Sequence, residues 1–172
     1  MKAVGTLVAL CLMLAGCGYQ PLYGDRANAV TSEDLALIYI APISDRSGQQ
    51  LRNFLIEKLN ADGQPGRPIY TLQISLGVTS TGVALSRDNT NSRTSITATA
   101  KYTLKETATN KTLLTSTSRG TDAYDVLLSD FATLSSRDTA VDNALQEVAD
   151  DMGTQLAVYF QNRKINGPAA PH

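Results

Sequence analysis

The chain of 172 residues has no tryptophan, one histidine and two cysteines, and each scarcity removes a class of chemistry. The histidine is His172, the last residue, behind the run Asn166-Gly167-Pro168-Ala169-Ala170-Pro171. An imidazole there is not held within reach of a Ser or Cys nucleophile, and it cannot anchor a histidine metal site. Charge is also sparse, with 15 basic against 16 acidic residues. That balance lacks the basic surface on which general nucleic-acid binding depends. Phosphate-cradling glycine loops are missing, since Gly63-Gln64-Pro65-Gly66 reads as a helix stop. The carboxylate pairs Asp122/Asp125 and Asp150/Asp151 read as solvated surface charge. No enzyme and no cofactor is expected.

What is present begins at the N-terminus. Lys2, an apolar stretch of roughly ten residues and a small-residue cut site have the form of a secretory signal. The stretch is too short for a permanent transmembrane helix, and after residue 17 no apolar run reaches the roughly 20 residues that one needs. Leu14-Ala15-Gly16-Cys17 looks like a lipobox, in which the Cys17 thiol takes a diacylglycerol and its freed amine is acylated. Each buried methylene contributes about 0.8 kcal/mol and two or more chains hold a protein stably on a membrane. Residues 1–16 are therefore expected to be cleaved, leaving a domain tethered to a membrane of a bacterial envelope. Cys11 leaves with the signal and Cys17 is acylated, so no disulfide and no thiolate metal site is expected. Lys2 leaves too, so 14 basic residues face 16 acidic ones.

Residues 17–34 lack periodicity and read as a lipidated linker. Leu35–Ile40 is a compact apolar run closed by Pro42, which predicts a strand. Ser47 and Gln50 have capping-box spacing, and Leu51, Phe54, Leu55 and Leu59 share a face, predicting a helix over 48–60 ended by Gly63. Alternation then predicts two strands, one through Tyr70, Leu72, Ile74, Leu76 and Val78 and one through Ile96, Ala98, Ala100, Tyr102 and Leu104. A polar tip at 87–93 separates them, and a turn at Thr109-Asn110-Lys111 leads to a third strand over 113–120. Residues 121–134 read as a connection partly buried through Tyr124, Val126, Leu127, Phe131 and Leu134. A last helix, capped by Ser135 or Ser136, carries the stripe Val141, Ala144, Leu145, Val148, Met152, Leu156 and Tyr159. The β-α-β-β-β-α order predicts an α+β two-layer sandwich, a mainly antiparallel sheet packed on two helices, over residues 35–164. The tail 165–172 has little to bury and reads as disordered.

Six basic residues, Arg87, Arg93, Lys101, Lys105, Lys111 and Arg119, fall within 33 residues that hold only Asp88 and Glu106 as acids. This locally cationic unit suits a multiply phosphorylated ligand, for which Arg supplies paired hydrogen bonds and Lys a point charge. The same residues would equally keep an exposed sheet soluble and guard its edge.

Cys17-Gly18-Tyr19-Gln20-Pro21-Leu22-Tyr23-Gly24 resembles the mature start of the LptE family of lipopolysaccharide-assembly lipoproteins. Asp130-Phe131-Ala132-Thr133-Leu134, and the helix ending Leu156-Ala157-Val158-Tyr159-Phe160, are also similar to that family. The resemblance implies an outer-membrane lipoprotein facing the periplasm, acylated at Cys17, with Gly18 compatible with that destination. It further implies that the protein plugs the β-barrel translocon LptD, assists its assembly and binds lipopolysaccharide, for which the six basic residues are the candidates. The alternative is a free-standing periplasmic lipoprotein serving another envelope complex as an adaptor or ligand binder.

Overall fold

Alternating apolar residues give this chain strands that bury one face, and a computed structural model shows how they assemble. The structure describes residues 33–84, 92–127 and 129–166. All of them belong to one compact unit, Thr31–His172. The expected signal segment, Cys17, most of the linker, Arg87 and the residues from 167 onward lie outside the described residues.

Four strands, β1 (Ile38–Ile40), β2 (Tyr70–Ala84), β3 (Ser92–Glu106) and β4 (Thr112–Asp125), form one sheet in the order β1-β2-β3-β4. β1 runs parallel to β2, across the helix α1 (Asp45–Leu59), and the other two pairings are antiparallel. A second helix, α2 (Asp130–Asn166), follows β4. Both helices pack on one face of the sheet, which is the α+β two-layer arrangement expected from the element order.

Several boundaries differ from expectation for local reasons. Residues 33–36 form a helical turn, with Leu37 N–H donating to the Asp34 carbonyl, so β1 holds only three residues. α1 starts at Asp45 behind Ser44, whose side chain makes no capping bond. The Ser47/Gln50 capping box does not form, because Gln50 instead donates to Asp142 of α2 at 2.9 Å. Gly63 lies beyond the helix end with φ +96° and donates to the Asn60 carbonyl at 2.7 Å, the left-handed stop its sequence position suggested. β2 and β3 pair out to Ala84 and Ser92, and β4 continues to Asp125, beyond the strictly alternating stretches. Threonine-rich segments sustain a ladder without an apolar face. α2 begins at Asp130, five residues before the expected serine cap, and its last turn reaches Asn166, inside the expected tail.

The core comprises Ile38 and Ile40, the α1 residues Leu51, Leu55 and Leu59, the inner face of the sheet and the α2 stripe from Ala140 to Phe160. Phe160, rather than Tyr159, fills the last core position and packs on Tyr70 with ring centroids 5.0 Å apart. Where α2 crosses the sheet, the facing residues are small. Ala98 pairs with Gly120 and Ala100 with Ser118, and all four are buried. This shallow trough lets the helix backbone approach the strands closely. One polar network crosses the same layer: Tyr102 OH and Ser116 Oγ donate to Gln155 Oε1 at 2.7 and 2.6 Å. Gln155 Nε2 donates in turn to Asp151 at 2.7 Å and to Ser118 Oγ at 3.3 Å. With its carbonyl and amide both used, Gln155 fixes where α2 sits along the sheet.

Both sheet edges are capped by side chains, to different extents. At β1, Gln64 accepts from Ile40 N–H at 3.1 Å and Arg52 donates to the Ile40 carbonyl at 3.2 Å. At β4, Glu147 accepts from Thr121 N–H at 2.8 Å and Asp122 from Ala123 N–H at 2.7 Å. Such bonds withhold edge groups from pairing with another chain.

Candidate functional site

The face of the sheet turned away from the helices is built from alternate residues of three long strands. Threonines dominate it: Thr71 and Thr107 share a hydroxyl contact of 3.1 Å, and Thr79 Oγ1 donates to the Thr97 carbonyl at 3.4 Å. Lys101 and Lys105 stand on this face in β3, and Arg119 stands opposite Thr99 in β4. The register makes Lys101 and Arg119 diagonal neighbours, at a Cα separation of roughly 7–8 Å. Lys101 and Arg119 are exposed and Lys105 is half-buried. The alternate positions of β2, β3 and β4 on this face hold one carboxylate, Asp125, which lies opposite Arg93 at the far end. Between Arg93 and Lys105 the face is therefore a hydroxyl-rich surface with cations and no acid. None of the five described candidates forms an ion pair among the described residues.

The structure does not bring the sequence candidates into one cluster. Lys101 and Arg119 lie at mid-sheet, and Lys105 stands near the β3–β4 turn. Lys111 belongs to that turn, where its carbonyl accepts from Glu106 N–H at 2.9 Å. Arg93 lies at the opposite end, about 40 Å from Lys105 at the usual rise per strand residue. Closeness in sequence becomes distance along an extended chain. Arg87 and Cys17 are outside the described residues.

The carboxylates have ordinary roles. Asp122 accepts from Asn143 at 2.8 Å, Asp150 pairs with Lys58 at 2.6 Å, and Asp151 serves the Gln155 network. Among the described residues no group of three or more His, Cys, Asp or Glu could hold a metal ion, and no helix is long and apolar enough to cross a membrane. Burial raises the Tyr102 phenol above its ordinary pKa, opposed by the neighbouring hydroxyls of Ser116 and Ser118. Burial likewise raises Tyr70, against the attraction of Arg163, whose guanidinium lies 5.9 Å from the ring centroid.

One surface runs against expectation. The connection from β4 into α2 was expected to bury its apolar residues, yet Val126, Leu127, Phe131 and Leu134 are all exposed, Phe131 by 82%. Only Tyr124 of that group is half-buried and packed on the core. The apolar side chains lie past the last paired residue of the sheet, where no second layer among the described residues covers them.

Comparison with known proteins now bears on what these surfaces serve. The LptE family, described as lipopolysaccharide-assembly, matches residues 35–156, more than half of the chain. The chain belongs to the LptE family. Its fold is shared with a Caulobacter crescentus CB15 protein described as a lipoprotein, at a TM-score of 0.64 and 20% identity over 76% of this chain and 96% of that one. Rare lipoprotein B from Shewanella oneidensis aligns with a TM-score of 0.57 and 10% identity, over 74% of this chain and 98% of its own. No curated protein sequence matches the chain significantly. Membership gives this LptE-family protein a general role in lipopolysaccharide assembly, a non-enzymatic role in that family.

Proposed function

We propose that this protein is an outer-membrane lipoprotein, acylated at Cys17 and facing the periplasm, that seats inside the LptD β-barrel as a plug and assembly partner. In that position it binds lipopolysaccharide during insertion into the outer leaflet. The observation that carries the reading is the sheet face bearing Lys101, Lys105 and Arg119 among threonines, with no carboxylate between Arg93 and Lys105. Hydroxyls offer hydrogen bonds to a polar lumen or a sugar without a charge to bury. The three cations give the anionic glycolipid phosphates a partner that no neighbouring acid neutralises. Arg87 and Arg93 extend the candidate set toward the hairpin end, and Lys111 toward the opposite turn. The fold shared with lipoproteins of two other bacteria and the lipobox-like Leu14–Cys17 support the anchor.

The test is affinity purification of the tagged lipoprotein from detergent-extracted outer membranes. Recovery of LptD in roughly equal amount supports the plug reading; recovery alone would make the protein free-standing. A second arm replaces Arg93, Lys101, Lys105 and Arg119 with Glu and measures binding of purified lipopolysaccharide. Binding by the folded variant equal to that of the parent would remove these residues from the site.

A further inference from the structure

We propose that the cavity at the C-terminal end of α2, lined by Asp34, Tyr70, Phe160, Arg163 and Lys164, binds a carboxylate carried on an apolar or aromatic body, with Arg163 as its charge partner. Tyr70 and Phe160 belong to the core on the helical side of the sheet, so the site is separate from the threonine face. The inference therefore does not depend on the barrel or on the glycolipid.

Register and helical spacing bring the lining residues together. Tyr70 opens β2 opposite Ile38, and its ring packs on Phe160 with centroids 5.0 Å apart. Arg163 and Lys164 follow Phe160 by three and four positions on α2, so all three share one side of its last turns. Asp34 sits in the helical turn ahead of β1, and its carboxylate reaches Lys164 at 2.6 Å, which closes one flank. Both aromatic walls are buried parts of the core and cannot swing away freely. The cavity measures about 260 Å³. Pockets for drug-sized ligands run from roughly 300 Å³ upward, so this one suits a small molecule or one end group of a larger one.

An unmet demand of Arg163 selects the ligand. Its Nη1 is buried yet has no hydrogen-bond partner among the described residues. The nearby acid is committed elsewhere, because Asp34 pairs with Lys164. The Tyr70 ring compensates little, since the guanidinium carbon lies 5.9 Å from its centroid, at the outer limit of about 6 Å for such a contact. A desolvated cationic donor without an acceptor is costly, and an ionised acceptor relieves it best. The planar guanidinium fork matches a carboxylate. Surrounding charge then limits the ligand to one negative charge. Burial raises the Tyr70 phenol, Arg163 opposes this, and Asp34 and Glu106 add to it, so two acids act on the same cavity. The last carbonyls of α2 contribute the negative end of the helix dipole. A phosphate dianion is disfavoured in that field. A carboxylate satisfies Arg163 with one charge, and the Tyr70 and Phe160 rings receive its apolar body.

The experiment titrates the full-length, detergent-solubilised lipoprotein, isotope-labelled on its tyrosine and phenylalanine rings, with phenylacetate, phenylacetamide and phenyl phosphate. Phenylacetate should shift the Tyr70 and Phe160 resonances and bind roughly tenfold or more tightly than the neutral amide or the phosphate. Arg163→Gln should weaken phenylacetate by a similar factor, whereas Arg137→Gln, at an exposed cation earlier on α2, should leave it unchanged. Because Arg163 lacks an acceptor in the free protein, Arg163→Gln should melt at or above the parent's midpoint, while a structural role would lower it. A short peptide ending in phenylalanine, as free acid and as amide, separates the sources of the carboxylate. Tighter binding of the peptide acid than of phenylacetate makes the source a polypeptide C-terminus, and the reverse makes it a free organic acid. Equal binding of phenylacetate and phenylacetamide to the parent overturns the site, however well the variant folds. Tighter binding of phenyl phosphate, undiminished binding by Arg163→Gln, or no shift at either ring overturns it as well.

Discussion

Gly120 is where the two layers touch most closely, and its substitution by alanine measures how far the domain depends on that approach. An alanine Cβ at this position would overlap the Ala144 carbonyl oxygen and lie 3.0 Å from the Ala144 carbonyl carbon and 3.1 Å from Glu147 Cβ. Comfortable carbon contacts are about 3.5–4.0 Å and the overlapping oxygen is closer still, so α2 must withdraw by about 1 Å. The obstacle is helix backbone, which has no rotamer to change. Withdrawal stretches the 2.8 Å bond from Thr121 N–H to Glu147 and loosens the trough over Ala98, Ala100 and Ser118. Overpacking of this kind costs about 1–3 kcal/mol. Gly120 lacks a positive φ, so alanine suffers no backbone strain and gains about 0.4–1 kcal/mol from the stiffer unfolded chain. The balance is a loss of about 1–2 kcal/mol, which in a domain of this size lowers the melting midpoint by roughly 3–8 °C.

Circular-dichroism melts of the lipid-free domain, paired with urea titration, measure both quantities. Gly77→Ala is the control, because nothing lies within 4 Å of a Cβ built there. It lies mid-strand on the exposed face, and alanine should leave stability unchanged or slightly raise it. A Gly120→Ala variant as stable as the parent would refute the argument that the small-residue trough sets the helix–sheet distance.

Three further outcomes follow from the packing. Leu145 is fully buried, and Leu145→Ala should cost about 2–5 kcal/mol in a denaturant titration, with an unchanged m-value if the native state stays compact. Asn60, 2% exposed, donates to the Ala36 and Leu35 carbonyls at 3.1 and 3.5 Å, so Asn60→Ala should cost about 1–3 kcal/mol and speed amide exchange selectively around residues 35–40. The raised pKa values of Tyr102 and Tyr70 mean that the folded state holds their protons more tightly than the unfolded chain does. Their contribution is complete below the ordinary phenol pKa of about 10 and is lost as pH rises through the raised folded values. Tyr102→Phe should cost about 1 kcal/mol near neutrality and flatten the alkaline loss, leaving the part due to Tyr70. An alkaline slope identical to the parent's would assign the whole effect to Tyr70.

The elements that the sequence made legible are those whose periodicity reports burial directly. The alternation through Ile96–Leu104 and the stripe from Ala144 to Leu156 translate one-to-one into core positions, while in the Tyr70–Val78 alternation Tyr70 and Leu72 are buried and Ile74, Leu76 and Val78 are half-buried against the core. Two features were opaque for opposite reasons. Ala98, Ala100, Ser118 and Gly120 form a helix trough, yet small residues carry no apolar signal, and only the β3–β4 register shows that they adjoin. Phe131 and Leu134 carry a strong apolar signal that implies burial, but burial needs a facing layer, and the sheet has ended by Asp125. The six cations show a third limit. In a helix, residues a turn apart meet; in a strand, the 12 residue steps from Arg93 to Lys105 become about 40 Å. Density of charge in the sequence therefore becomes cations spread along an extended sheet, not a pocket.

The threonine face can contribute its energy only in small pieces, and that bears on what it can hold. Exposed cations such as Lys101 and Arg119 gain little from single opposing charges in water, and each threonine hydroxyl nets only about 1 kcal/mol. Such a face holds a ligand through many weak, replaceable contacts, which suits a glycolipid that must pass on. Charge reversal at Lys101 or Arg119 alone should therefore weaken lipopolysaccharide binding by the purified protein by only about two- to fivefold, and the loss should grow as the two are combined. A single reversal that abolished binding would mean that one cation dominates a compact site, contrary to the spread of the cations along the sheet.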